Sequence, residues 1–148
     1  MYFAGVCRFT VGFLWIVLAW ATASVAGGTG WGKVSPEEWG IGTPADYPEA
    51  NAIVIHDVCS LIVRNSGIEI TRWKRMKLLT KAGADEIGDV GFPYYEDDKV
   101  RDLKAQTITP DGKAIKLTSK DYFTKTIGGT KLRTFAFPGL DSGCIVEF

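Results

Sequence analysis

Apolar and polar residues alternate along most of the chain from residue 52 onward, with the two-residue period of half-buried β-strands. In Val58–Val63, for example, Cys59, Leu61 and Val63 fall on one face and the residues between them on the other. The predicted strands are Ala52–His56, Val58–Val63, Ile68–Leu79, Ile87–Tyr94, Val100–Ile108, Ala114–Leu117, Lys131–Phe137 and Cys144–Phe148. The pattern therefore predicts a chain that is mainly β.

Turn signals separate these strands. Asn65–Gly67, Thr80–Gly83, Thr109–Lys113 and Phe137–Gly143 each contain Gly or Pro together with small polar or charged residues. We expect Thr80–Gly83 to be a tight turn in which Gly83 adopts a positive φ. Each of these segments ends one predicted strand and allows the next to return antiparallel to it.

One short helix is predicted near residue 35. Ser35 is a good N-cap, Pro36 suits the first helical position, and Glu38 completes a capping box. Pro44 and Pro48 prevent the helix from continuing. Repeated short strands with a single short helix predict an all-β fold, an antiparallel β-sandwich.

The N-terminal segment has a different pattern, because no charged residue lies between Arg8 and Lys33. An apolar run from Val11 to Ala21 is followed by small residues, which predicts a signal peptide of residues 1–26 and therefore an exported, periplasmic or cell-surface protein. The alternative is an uncleaved membrane anchor, since a spanning helix needs about 20 mainly apolar residues.

Cleavage after Ala26 would leave 122 of the 148 residues, enough for one domain. We divide that part into a Gly-rich linker with the short helix, residues 27–46, and a β-sandwich domain, residues 47–148. It carries 16 basic and 17 acidic residues, so its charge does not favour a nucleic-acid partner. The densest basic stretch, Arg72–Lys77, is expected to be a solvated strand whose charges point to both faces.

Two cysteines, Cys59 and Cys144, remain after the signal peptide. An even pair in an oxidising compartment allows a disulfide bridge. The alternative is two free thiols that behave as small apolar side chains. The sequence leaves both open, because it does not show whether the two Cα atoms come close enough.

No catalytic, cofactor-binding or metal-binding residues are predicted. His56 is the single histidine, and its neighbour Asp57 would point to the opposite face of a strand, so we expect a surface histidine at a strand end. The acidic run Glu96–Asp98 lacks the spacing of a calcium loop and is expected to be a solvated turn. The aromatic residues that would suit a sugar platform are Trp31, Trp39, Trp73, Tyr94 and Tyr95, although aromatic residues in a sandwich are more often core or edge residues.

Five motifs in their order along the chain carry a family resemblance. They are Ser35–Glu38, Tyr47–Ala52, Lys77–Gly83, Thr109–Lys113 and Phe137–Gly143. Together they resemble bacterial domain of unknown function 3857 (DUF3857), which is found before transglutaminase-like domains in exported proteins. The resemblance runs from about Trp31 to the last residue, and it implies a β-sandwich with no assigned catalytic residues.

The resemblance also implies a partner in cis, a transglutaminase-like domain whose Cys, His and Asp would lie in a later part of a longer protein. We therefore expect a C-terminal truncation after Phe148. The leading hypothesis is a non-catalytic, exported module that serves as a scaffold or presents substrates to such a domain. The alternative is an independent cell-surface module that binds a glycan or a peptide.

Overall fold

The computed structural model describes residues 30–95 and 98–148. The predicted signal peptide, residues 1–26, and most of the predicted acidic turn at Glu96–Asp98 therefore lie outside the described residues. Within the described ranges no helix is long and apolar enough to cross a membrane.

Two antiparallel sheets form the fold. Its helices and strands, in chain order, are α1 (Pro36–Gly40), β1 (Ala52–Arg64), β2 (Gly67–Leu78), α2 (Lys81–Ile87), β3 (Asp89–Tyr94), β4 (Gln106–Ile108), β5 (Ala114–Lys116), a 3₁₀ turn at Ser119–Asp121, β6 (Tyr122–Ile127), β7 (Thr130–Ala136) and β8 (Ile145–Glu147). One sheet has the order β1-β2-β8-β4-β5 and the other the order β3-β7-β6. The predicted all-β antiparallel sandwich is confirmed.

The core lies between the two sheets. Met76, Leu78 and Val146 come from the inner face of the five-stranded sheet, and Phe135 comes from the three-stranded sheet. Phe135 packs edge-on against the Phe137 ring, with ring centroids 5.2 Å apart. Apolar residues from strands far apart in the sequence thus cover one another, which is the main favourable contribution to folding.

The first two predicted strands form one long strand, β1, which pairs with β2 over almost its whole length. A register shift between Val54 and His56 absorbs one extra residue, and regular pairing continues through Asp57, where the sequence predicted a break. The predicted turn at Asn65–Gly67 is confirmed, with Gly67 at φ 139°. The faces predicted for Leu61 and Val63 are also confirmed, because they lie opposite Ile70 and Ile68.

The predicted turn at Thr80–Gly83 is wrong. Thr80 caps a second helix, α2, by accepting a hydrogen bond from the Gly83 amide at 3.1 Å, and Gly83 has no positive φ. A Cβ added at Gly83 would lie 2.2 Å from the Asn51 carbonyl oxygen. The position needs glycine because another backbone approaches closely, whereas the prediction attributed it to a left-handed turn.

Two other strand predictions need correction. Of the predicted strand Val100–Ile108 only β4 forms; Ala105 lies in the core and Leu103 packs against it, both in irregular chain. Strand β6 was not predicted at all, although it forms a hairpin with β7 through the turn Gly128–Gly129, where both glycines have a positive φ. The paired glycines were the sequence signal that could have located this hairpin.

Candidate functional site

The densest group of polar side chains lies on the outer face of the five-stranded sheet, opposite the core. Its members are Glu38, His56, Trp73, Arg75, Gln106 and Glu147, which we call the polar cluster. Arg75, Gln106 and Glu147 have no exposed surface, and Glu38 is 6% exposed. Residues 30–42, which we call the strap, contribute Glu38 and backbone groups to the cluster.

The register of three neighbouring strands places the cluster. Arg75 of β2 and Gln106 of β4 both lie opposite Glu147 of β8, the strand between them. Trp73 and Lys77 share the outer face with Arg75, because side chains alternate along β2. Residues separated by tens of positions in the sequence therefore meet at one level of the sheet.

The capping box of α1 positions the carboxylate of Glu38. Glu38 accepts a hydrogen bond from the Ser35 amide at 2.7 Å, and its own amide donates to Ser35 Oγ at 3.2 Å. This confirms the predicted helix start and its cap. The cap holds the Glu38 side chain over the sheet, where it reaches Arg75.

The Arg75 guanidinium lies between two carboxylates. It donates to Glu38 Oε1 at 2.8 Å and to Glu147 Oε2 at 2.6 Å. It also donates to the backbone carbonyls of Lys33 at 2.9 Å and of Gly30 at 3.0 Å. Buried ion pairs are tolerated where such additional hydrogen bonds satisfy the charged groups, so Arg75 links the strap to the sheet.

Glu147 accepts hydrogen bonds at both carboxylate oxygens. Besides Arg75, its donors are the Gly32 amide at 2.6 Å, Trp73 Nε1 at 3.3 Å and Gln106 Nε2. One of these donors belongs to the strap and the others to β2 and β4. Glu147 is therefore the point at which the strap and three strands of the sheet are joined.

His56 is partly exposed, with 35% of its side chain accessible, but it does not lie at the strand end that the sequence predicted. It lies within β1, its Nε2 is 3.1 Å from Glu38 Oε1, and its ring stacks on Trp73 with centroids 5.1 Å apart. The guanidinium carbon of Arg75 lies 5.1 Å from the centre of the Trp73 ring. Asp57 points to the opposite face, as predicted, and pairs with Arg72 at 2.6 Å.

The expectation of a solvated basic strand at Arg72–Lys77 is wrong for the residues that point outward. Arg75 has no exposed surface and Lys77 is 9% exposed. The Lys77 ammonium group donates to the Ile41 carbonyl at 2.6 Å and to the Trp39 carbonyl. Alternation along a strand predicts which face a residue occupies, but it does not reveal that the strap covers that face.

The two cysteines do not meet in the structure. Cys59 is exposed on β1, whereas Cys144 is buried in the core just before β8, and both thiols are free. Burial raises the pKa of the Cys144 thiol, which keeps it in the protonated, unreactive form. The bridge that an even pair of cysteines permits is thus not formed here.

The residues suggested for a sugar platform do not form one surface, since Trp31 and Trp39 lie in the strap and the other three lie on different sheets or beside them. Trp73 belongs to the polar cluster, while Tyr94 ends β3 of the other sheet and the neighbouring Tyr95 is 73% exposed. Within the described ranges, no group of three or more His, Cys, Asp or Glu side chains is arranged to hold a metal ion.

Two surface depressions lie away from the polar cluster. One, of about 330 Å³, is lined by residues that include Leu103, Tyr122 and Arg133, and partial burial raises the pKa of the Tyr122 phenol. The other, of about 450 Å³, lies on the outer face of the three-stranded sheet and includes Phe123 and Leu132. Both are open hollows without a cluster of convergent charged groups.

Comparison with known proteins gives one result. No curated protein matches the chain, and no solved structure matches it. A family model, that of the Domain of Unknown Function DUF3857, matches residues 65–148, which is more than half of the chain. The matched range contains Arg75, Gln106 and Glu147 and runs from the β1–β2 turn to the last residue. The chain therefore belongs to the DUF3857 family.

Proposed function

We propose that this chain is a non-catalytic, exported β-sandwich module that serves as a scaffold or presents substrates to a transglutaminase-like domain. The observation that carries the proposal is the closed polar cluster. Its charged groups bind one another and the strap, so the part of the described chain richest in reactive side chains joins two structural elements. Nucleophilic or acid–base catalysis instead needs such groups to be directed at a bound substrate.

The part of the chain that the family model matches supports the same role. Arg75 and Glu147 lie in the matched range, while the strap that covers them lies before it. A sheet whose outer face is covered in part by a preceding segment, here over Arg75 and Lys77, offers a rigid platform at that part. Such a platform suits a domain that holds a neighbouring enzyme domain in place.

An activity assay tests the non-catalytic part of the proposal. We expect the purified full chain to show no transfer from a glutamine-containing peptide to an amine and no hydrolysis of that peptide. The matched variants are Cys59→Ala and Cys144→Ala. Turnover by the chain that either variant abolishes would contradict the proposal.

The partner is tested through the gene. Where the reading frame continues past the codon for Phe148, we expect it to encode a transglutaminase-like domain with Cys, His and Asp residues. The longer protein, expressed whole, should lose amine incorporation when that cysteine is replaced and keep it when Cys59 is replaced. A downstream frame that encodes another kind of domain would contradict the proposed partner.

A glycan- or peptide-binding module is the second candidate, and exposed aromatic residues favour it. Tyr47 is 64% exposed, Tyr95 73% and Trp31 40%. Calorimetric titration with oligosaccharides and short peptides tests this candidate, with Tyr95→Ala as the informative variant. Saturable binding that Tyr95→Ala removes would support it, and no heat at millimolar ligand would exclude it.

A further inference from the structure

The hollow of about 330 Å³ that lies away from the polar cluster is lined from both sheets. Tyr122 of β6 and Arg133 of β7 line one side, and the segments that flank the β4–β5 hairpin line the other. Those segments contribute Val100, Asp102, Leu103, Leu117 and Ser119. Leu103 and Leu117 also pack against the core, so they form an apolar wall that is held in place.

The register of the three-stranded sheet explains why a guanidinium lies in this hollow. Arg133 precedes the core residue Phe135 by two positions, so both side chains point to the inner face of the sheet. Arg133 lies beyond the core and is half-buried. Its guanidinium donates to Thr124 Oγ1 at 3.1 Å and lies over the Tyr122 ring, with Cζ 5.8 Å from the ring centre. These two contacts hold the cation in one position.

The Arg133 guanidinium has no carboxylate partner among the described residues. Asp102, the acidic residue that lines the hollow, forms no ion pair with it. Arg64, Arg72 and Arg75, in contrast, each bind a carboxylate. Since a guanidinium has five N–H donors, Arg133 keeps donors for an anion in the hollow.

The stretch of chain that builds the hollow is positively charged, although the whole chain is balanced. Nine basic and three acidic residues lie from Lys99 to Arg133. One of the basic residues, Lys131, shares the inner face with Arg133, because it lies two positions before it on β7. A local excess of one charge raises the concentration of oppositely charged ligands nearby, so the hollow favours anions.

We propose that this hollow binds a carboxylate attached to an apolar group, with the carboxylate on Arg133 and the apolar group against Leu103 and Leu117. The planar guanidinium binds a carboxylate through two parallel N–H groups. The apolar wall favours a ligand with an apolar part, because such a ligand removes that surface from water. The C-terminus of a peptide and a free N-acylated amino acid share this chemistry.

An NMR titration of the purified full chain with N-acetyl-phenylalanine tests the proposal. We expect saturable shifts at the residues that line the hollow and a dissociation constant of about 1 mM, since an open hollow offers a small ligand few contacts. The amide of the same compound lacks the negative charge and should bind about tenfold more weakly. Equal binding of acid and amide, or no saturable shift with millimolar acid, would overturn the proposal.

Three variants test the role of Arg133. Arg133→Gln removes the charged donor and should weaken binding of the acid about tenfold. The matched control is Lys125→Gln, which removes the same charge from the outer face of the same hairpin and should leave binding unchanged. Equal weakening by both variants would overturn the proposal, because it would show attraction by net charge alone.

The third variant, Asp102→Asn, acts in the opposite direction. It removes the negative charge that lines the hollow and should strengthen binding of the acid. Asp102 is exposed and has a left-handed backbone angle, φ 51°, that asparagine also tolerates, so the variant should fold even where Arg133→Gln does not. Weaker binding by Asp102→Asn would overturn the proposal.

Two further ligands identify the source of the carboxylate. Binding of acetyl-glycyl-glycyl-phenylalanine at least as tight as that of N-acetyl-phenylalanine would support a peptide C-terminus as the ligand. Weaker binding of the longer peptide would support a free acid. Inorganic phosphate at the same ionic strength should bind more weakly than either, and tighter binding of phosphate would overturn the proposal because the apolar wall would then be unused.

Discussion

The two halves of strand β2 have the same alternating pattern but different environments. From Arg75 to Leu78 every residue is buried, whereas every residue from Gly67 to Arg72 is exposed. The inner face of the buried half packs on the second sheet, and its outer face lies under the strap. The exposed half has no cover among the described residues, so the difference arises from the elements packed against the strand.

The largest expected effect on stability comes from replacing Arg75, a charged residue in the buried half of β2. Arg75→Met leaves two buried carboxylates without their cation and should lower the free energy of unfolding by about 3–5 kcal/mol. Arg72→Met is the control on the exposed half, where a solvent-exposed ion pair contributes little to stability. Urea denaturation measures both. Equal effects would mean that the strap does not seal the polar cluster.

Two apolar residues on the same face of β2, one in the buried half and one in the exposed half, allow the same comparison. Leu78→Ala removes a side chain with no exposed surface and should cost about 2–5 kcal/mol. Ile70→Ala removes one that is 65% exposed and should change the free energy of unfolding by less than about 0.5 kcal/mol. Thermal unfolding measures both variants. Equal shifts of their unfolding midpoints would contradict this prediction.

The base of the hairpin, where β2 leads into α2, gives a smaller effect. Gly83→Ala introduces a Cβ against the Asn51 carbonyl and should destabilise the protein by about 1–3 kcal/mol. The control is Gly88→Ala, because Gly88 has right-handed helical angles and a Cβ there would meet no heavy atom within 3.4 Å. We expect Gly88→Ala to be neutral or to stabilise the protein by about 0.4–1 kcal/mol in urea denaturation.

The smallest effect concerns the ion pair on the exposed half. The Arg72 guanidinium holds the pKa of Asp57 below its usual value through a side-chain hydrogen bond. The stability that this pair contributes is therefore present above the unfolded-state pKa of Asp57 and is lost as the pH falls through its folded-state pKa. Arg72→Gln should raise the Asp57 pKa in an NMR titration, and Arg64→Gln should leave it unchanged.

Sequence reasoning succeeded where one segment is enough to determine the structure. The Ser35 capping box, the turn at Thr109–Lys113 and the alternation of Leu61 and Val63 all appear in the structure as predicted. It failed where a second segment decides the outcome. Position 83 requires glycine because the Asn51 backbone approaches it closely, and Arg75 is buried because the strap covers it. Neither partner is adjacent in sequence.

The sequence by itself determined the antiparallel β-sandwich, the short capped helix and the faces that residues occupy along β1 and β2. These follow from local physics, since side chains alternate along a strand and caps satisfy the amides of a helix start. Only the tertiary structure decided that Glu147 lies between Arg75 and Gln106, which are 72 and 41 positions away. The reason is that a cluster of this kind forms from strand pairing over long separations, which no local pattern encodes.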